Sequence, residues 1–321
     1  MRAMSGRTRT GMAVALAGLL ALVFAPFALA ADGGVGSSRA GAAAAGATVR
    51  SHTGPIAALN ASQSNNWSGY NQGTIEKGGT TFHSVAGDWI VPAASQHSKG
   101  ESEYSASWLG IGGGCEDSSC NTTDNTLIQA GTEQDVVYDA LAGTTTAQYS
   151  AWWELIPNAS TTIDNFPVKA GDHIHVDIHE NGTGTENWTI IVQNVTTGQT
   201  FTTTVSYDST YATAEWIEEA PTVVSIYPVP PTVGFAPVPN LTPPVHFDLA
   251  TANGKAPSLV PGEAIQLVDF TGNVEATPSN PDAEADGFAD CTYATSCATP
   301  TTTIGTTTTA TGWHSKRRRH H

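Results

Sequence analysis

The 321-residue sequence predicts an all-β protein built as two packed layers. Thr, Ser, Asn, Gly and Val dominate the composition. Long amphipathic helical patterns are hard to find beyond the first thirty residues, and short runs with strand-like alternation recur between turn residues. These runs are Phe82 to Val91, Tyr104 to Ile111, Thr126 to Gly131, Thr146 to Ile156, His173 to His179 and Trp188 to Asn194. Four more follow at Thr200 to Tyr207, Thr213 to Ile217, Pro244 to Leu249 and Ala264 to Asp269. Many short strands at this spacing argue for a sandwich or a barrel. A hydrophobic content of 40% is enough to bury a sizeable core, in one large β domain or two smaller ones.

The ends read differently from the body. Residues 1–30 have a basic start (Arg2, Arg7, Arg9), an apolar run from Met12 to Leu29 and the small-residue pattern Ala28-Leu29-Ala30. That is the pattern of a secretory signal peptide cleaved after Ala30. A single membrane anchor competes, because the run is nearly long enough to span, but Pro26 and the small residues at its end favour the signal. No later stretch is apolar enough to span, so the expected localisation is secreted and extracellular, with no stable membrane association. Residues 31–62 are Gly, Ala and Ser with little to pack, a disordered leader or prosegment. Order is expected from Ser64-Asn65-Asn66-Trp67-Ser68-Gly69-Tyr70, within a β-sandwich domain over 63–298. Inside it, the Pro-rich stretch Tyr227 to Pro244 reads as a surface crossing. Residues 299–321 form a Thr-rich tail with a basic end, outside the fold.

Charge excludes one class of partner. Between Ala31 and Ser315 the bases are Arg39, Arg50, Lys77, Lys99, Lys169 and Lys255, against all 29 acids. Such a body repels nucleic acid. Once its acids protonate, few positive charges remain to repel one another, as a protein working in acid requires. The four cysteines fall into two close pairs, Cys115 with Cys120 and Cys291 with Cys297. In an oxidising compartment two local disulfides are the simplest of the three connectivities. Neither pair has the neighbouring ligands that would complete a metal site.

Several constellations bear on chemistry. His173, His175 and His179 share a strand face with Asp177, which suits a solvated face of a half-buried sheet better than a zinc site. No Gly-x-Ser-x-Gly run marks a serine nucleophile, paired cysteines supply no thiolate, and Gly110 to Gly114 leads into Cys115, where a phosphate loop would open a helix. There remain carboxylates and amides set among aromatics: Trp67, Trp108, Gln129, Trp152, Glu154 and Glu215. In Tyr211 to Glu218, alternation places Glu215 beside Tyr211, Thr213 and Ile217 on one face, a mixed surface that suits a cleft. Taken singly, each Trp reads as a packed anchor before a ligand contact.

Seven blocks carry a resemblance. Asn65-Asn66-Trp67-Ser68-Gly69, Ser107 to Gly112, Leu127 to Gly131, Ala151 to Glu154 with Pro157, Ala170-Gly171-Asp172, Asn194 to Gln199 and Thr213 to Glu218 resemble, in order and approximate spacing, the glutamic peptidases, or eqolisins. The resemblance runs from about Asn65 to about Phe270. It implies a β-sandwich of two packed, mostly antiparallel sheets, with a concanavalin- or lectin-like architecture. It also implies an exported, monomeric acid endopeptidase that cuts unfolded or extended polypeptides without metal or cofactor. The family's catalytic Gln and Glu are placed by it on Gln129 and Glu215, with Trp108, Trp152, Glu154 and Trp67 as substrate contacts. Gly112, Leu155 and Ile156 depart from the family's Asp and aromatics, so subsite shape should differ.

In that reading Glu215 takes a proton from the attacking water and later gives it to the leaving nitrogen, while Gln129 holds the oxyanion. The amide does not titrate, which avoids the coupling of a two-carboxylate dyad. The alternative is a carbohydrate-binding or glycoside-hydrolysing sandwich using Glu154 and Glu215. A catalytically dead binding module is a third reading, which retention of both Gln129 and Glu215 disfavours.

Overall fold

The computed structural model describes residues 48–52, 54–225 and 232–305. The signal-peptide assignment therefore lies outside the described residues, as does most of the Thr-rich tail. Strands β1 (Thr48–Ser51), β2 (Ala58–Asn60), β3 (Gln63–Ser64) and β4 (Trp67–Gly73) lead to β5 (Ser84–Ile90), β6 (Ala93–Ser95) and β7 (Ala106–Gly112). The long strands β8 (Leu127–Asp139) and β9 (Thr144–Leu155) follow, then β10 (Thr161–Thr162), β11 (His173–Glu180), β12 (Asn187–Asn194) and β13 (Gln199–Ser206). Beyond them come β14 (Thr213–Glu219), β15 (Thr222–Ser225), β16 (Thr232–Phe235), β17 (Asn240–Thr242) and β18 (Val245–Ala252). A 3-10 turn at Pro261–Glu263 precedes β19 (Ala264–Val268), β20 (Val274–Pro278) and β21 (Phe288–Thr292).

These strands make a β-sandwich, as the sequence predicts. The front layer runs β10-β9-β8-β7-β14-β4 and the back layer β21-β18-β5-β11-β12-β13, each neighbour antiparallel. β19 joins them. Its first residues pair with β4 (Ala264 with Tyr70, Ile265 with Gly69), and its last pair with β20 (Leu267 with Ala276), so the sheet turns its corner within one strand.

The core between the layers follows from alternation. Ile174, Val176 and Ile178 of β11 and Trp188, Ile190 and Val192 of β12 point inward, and His173, His175, Asp177 and His179 point out. On that outer face His173 and His175 both bond Asp88, and His179 bonds Asp177. From the front layer come Tyr70, Leu109, Ile111, Ile128, Ala130 and Trp216. Buried indole N–H groups need acceptors, and both large anchors find them across the layers: Trp89 donates to Thr132 Oγ1 at 3.0 Å and Trp216 to the Ala86 carbonyl at 3.0 Å.

Three expectations change. Residues 31–62 read as a disordered leader or a prosegment; in the described part the disordered alternative does not hold, since β1 and β2 are strands, β1 pairs with β15, and His52 and Ile56 are buried against the front layer. The physical reason is that Ile56 and the His52 ring have an apolar and acidic surface to pack on, which compensates for the plain composition around them. The stretch Tyr227 to Pro244 includes β16 and β17 and buries Ala236, Val238 and Leu241, so its described part is more than a surface crossing. At the far end Ile304 is buried and donates its N–H to Asp248 at 2.6 Å, which carries the folded body past residue 298. Disulfides join Cys115 to Cys120 and Cys291 to Cys297, as the spacing predicts.

Candidate active site

The outer face of the front layer gathers the predicted residues by register alone. Directly paired residues share a face, and Glu154, Gln129, Gly110, Glu215 and Asn71 are paired in one row across β9, β8, β7, β14 and β4. Two residues along lies a second row, Trp152, Gly131, Trp108, Ile217 and Gly69. A third contains Ser150, Glu133, Ala106, Glu219 and Trp67. Glycine in the middle of the second row has a steric cause. A Cβ at Gly131 would overlap the Ser107 carbonyl and the Trp108 side chain, so the bare backbone lets that indole lie flat on the sheet.

A segment of the chain's own leader lies on these rows. The His52 ring stacks on Trp152, with centroids 3.9 Å apart and planes 7° from parallel. Its Nε2 meets Glu133 Oε1 at 2.9 Å and its Nδ1 meets Glu219 Oε2 at 3.2 Å. Gln129 Nε2 donates to the His52 carbonyl at 3.3 Å and to Glu154 Oε2 at 2.7 Å. Trp108 Nε1 donates to Glu219 Oε2 at 2.9 Å, and Trp67 packs edge-on to Trp108. The leader then continues to Ile56, whose N–H bonds the Gly113 carbonyl at 2.8 Å.

Gln129, Glu154, Trp108, Trp152 and Trp67 are therefore brought together, and Glu215 stands apart. It shares a row with Gln129 across β7 and, like Glu219, makes no direct hydrogen bond to it; unlike Glu219, it makes none to the leader. Neither Glu215 oxygen has a hydrogen-bond partner of ordinary geometry among the described residues. Glu154 and Glu215 lie three strands apart, roughly 14 Å at Cα, too far for a glycosidase pair with parallel side chains. Two carboxyls meet the same leader residue as Gln129, Glu133 and Glu219, and the sequence reading missed both; of the two, Glu219 is on the strand of Glu215. The signal was present: the period of two that puts Glu215 and Ile217 on one face puts Glu219 there as well. Glu218, between them, points inward and accepts from Ser107 Oγ at 2.6 Å.

Burial governs the electrostatics here. Desolvation alone would lower the His52 pKa, but the hydrogen bonds and charges of Glu133 and Glu219 outweigh it and hold it at about 10. Burial pushes Glu154 up to about 7, with the His52 charge and the Gln129 amide opposing it. Glu219 is also raised by burial, offset in part by the hydrogen bond and charge of His52. Glu215, fully enclosed, is driven well above the ordinary carboxylate range by burial, with the Thr213 hydroxyl offsetting little of it. No metal-ligand set forms on this face among the described residues; the one cluster of carboxylates, Asp248, Asp282 and Asp286, lies on other strands and loops.

Comparison with known proteins bears on the family and the fold. The model of the Peptidase A4 family matches residues 65–309. Aspergillopepsin-2 from Aspergillus niger is 30% identical over 162 residues, covering 44% of this chain and 52% of that protein. Scytalidopepsin B from Scytalidium lignicola is 28% identical over 194 residues, covering 60% of this chain and 65% of that one. The chain thus spans less than two thirds of the length of these relatives. The fold is also that of crystal structures of scytalido-glutamic peptidase. One, with a transition state analog inhibitor, has a TM-score of 0.50 and 19% identity over 71% of this chain and 98% of that one. Another, with a peptide-based transition state analog, has a TM-score of 0.50 and 20% identity over 72% and 98%. With the family model spanning most of the sequence and the two-sheet sandwich matching in structure, the chain belongs to the peptidase A4 family, the eqolisins.

Proposed function

We propose that this protein is an exported acid endopeptidase that hydrolyses extended polypeptides by direct water attack, with Gln129 and Glu219 as the reacting pair. The observation that supports it most is the leader: a peptide carbonyl, that of His52, is bound by the Gln129 amide, and Glu219 is one of the two carboxyls beside the same residue, the other being Glu133. A substrate carbonyl in that position would be polarised by Gln129 Nε2. A water between the two head groups would lose its proton to Glu219 as its oxygen attacks the carbonyl carbon. The oxyanion that forms gains the Gln129 N–H bond, and Glu219 returns the same proton to the leaving nitrogen as the C–N bond breaks. Atoms and charge balance with one carboxylate and no cofactor. Trp108 and Trp152 line the floor under the substrate, Trp67 supports Trp108 from its edge, and Glu154 orients the Gln129 amide.

Acid activity fits Glu154. Below about 7 its carboxyl is neutral and stops competing as an anion for the Gln129 amide protons, while the lower limit of activity is set where Glu219, raised by burial, takes up its own proton and can no longer serve as base. Glu215 is assigned no proton-transfer role in this scheme; the sequence-based choice is replaced by the carboxyl four residues on.

The test is incubation of the purified protein with an unfolded protein substrate from acid to neutral pH, beside Gln129→Ala. The expected result is cleavage in acid that fades as pH rises towards 7, resists chelators and serine or cysteine reagents, and falls by about 10²–10³ in the variant, the usual effect of losing one oxyanion donor. Undiminished turnover by Gln129→Ala would refute the scheme.

A further inference from the structure

The His52 side chain fills a pocket that shares Glu219 and Trp152 with the proposed site and adds Glu133, to which the chemistry assigns no role. Glu133 lies in the third row of the outer face, on β8 four residues beyond Gln129, and Ser150 Oγ holds its other oxygen at 2.6 Å. Trp152 supplies a flat indole below, and Glu219 closes the side. His52 is only 1% exposed, so its ring is desolvated there, with both nitrogens directed at carboxylates. A desolvated cation between two carboxylates and over an aromatic face gains from charge-assisted hydrogen bonds and cation–π attraction together. The body has few bases to spend, and the leader supplies the group that fits.

We propose that Glu133 and Trp152, with Glu219 at the edge, form a specificity subsite for a cationic side chain on the substrate residue whose carbonyl Gln129 holds, and that His52 occupies it in the leader-bound protein. The proposal rests on the assignment of Gln129 above. It makes the preferred substrates peptides with His, Lys or Arg at that residue. In the leader the imidazole engages Glu219 as well, which keeps the proposed base occupied, so this is a filled cleft and not a working one. Glu133 touches the substrate side chain and no reacting atom; it sets selectivity.

Two measurements test this. In the full chain at pH 7, His52→Leu should speed hydrogen exchange at the Ile56 and Ala57 amides, which the docked leader protects, by at least about tenfold, and His52→Lys should speed it less. Equal exchange in the two variants, raised or not, would overturn the subsite, because charge would then not matter. In acid, kcat/KM for peptides with His or Lys at the Gln129-bound residue should exceed that for Leu or Gln by about tenfold, and Glu133→Gln should shrink that ratio. Equal rates for all four peptides would overturn the subsite and leave proteolysis standing. If neither the peptides nor an unfolded protein is cut, the peptidase reading fails, and the exchange measurement still decides the subsite.

Discussion

The two faces of the front layer are buried to the same depth by different means. The inner face is covered by a whole second sheet, its indole N–H groups bonded across the interface and its aliphatic residues interdigitated. The outer face holds Trp67, Trp108, Trp152, Gln129 and four glutamates, and its centre is covered by a short leader segment through His52 and Ile56. Equal burial therefore does not mean equal commitment: one cover is a whole sheet of the fold, and the other is a short leader segment held by a few side chains, which in the proposed scheme a substrate replaces. β7 and β14 are buried at every position for this reason, where a sandwich strand would ordinarily be solvated at every second one.

The largest difference between the faces should appear in stability. Trp216→Ala opens a cavity between the sheets and is expected to cost about 3–5 kcal/mol, measured by urea unfolding, with little left folded at ambient temperature. Trp152→Ala, on the outer face, should cost less, because the leader can shift into the space. A larger loss for Trp152→Ala would mean that the leader side is the structural core.

The next effect is on pH. Burial, opposed by hydrogen bonds from Ser107, Ser105 and Gln134, holds the Glu218 carboxyl at about 7, and Glu154 and Glu275 are pushed to about 7 by burial too. A carboxyl whose folded pKa is raised binds its proton more tightly when folded. Its stabilisation is complete below its unfolded value of about 4.5 and is lost as pH rises through about 7, at about 1.4 kcal/mol per pH unit. Thermal melts should therefore show the protein most stable in acid, with the melting temperature falling between pH 5 and pH 8. Glu218→Gln should flatten that fall. A melting temperature that rises towards neutral pH would contradict the buried, neutral state of these acids.

Much of this was legible in the sequence. Alternation placed the strands, their two faces and the solvated histidine stripe, because a period of two is imposed by backbone geometry. Gln129, Trp108, Trp152 and Glu154 stood out as polar and aromatic side chains on strand-like runs, and the family resemblance, not the alternation, gave Gln129 its role. The leader was not legible, since Gly, Ala and Ser around His52 and Ile56 carry no periodic signal and the packing surface they meet comes from β7, β8, β9 and β14. Glu215 was chosen from the resemblance and Glu219 was not considered, because a strand stretch alone does not tell which carboxyl on one face meets a group from another part of the chain. That depends on which residues of neighbouring strands end in glycine, indole or acid, and on register across β7.

The smallest expected effect lies on the back layer, far from both faces discussed. His179 pairs with Asp177 in a largely solvated position, so His179→Ala should change stability by under about 0.5 kcal/mol and leave cleavage untouched. A larger loss would make that exposed face part of the fold's energetics.

The central claim is that Glu219, and not Glu215, exchanges the proton with water. Rates of cleavage of one unfolded substrate in acid by Glu219→Gln and Glu215→Gln, each checked for folding by circular dichroism, test it most directly. The account predicts that Glu219→Gln loses about 10²–10⁴ in kcat while Glu215→Gln, already neutral and enclosed, keeps most of its activity. An inactive Glu215→Gln beside an active Glu219→Gln would return the role to the carboxyl in the Gln129 row and contradict the site described above.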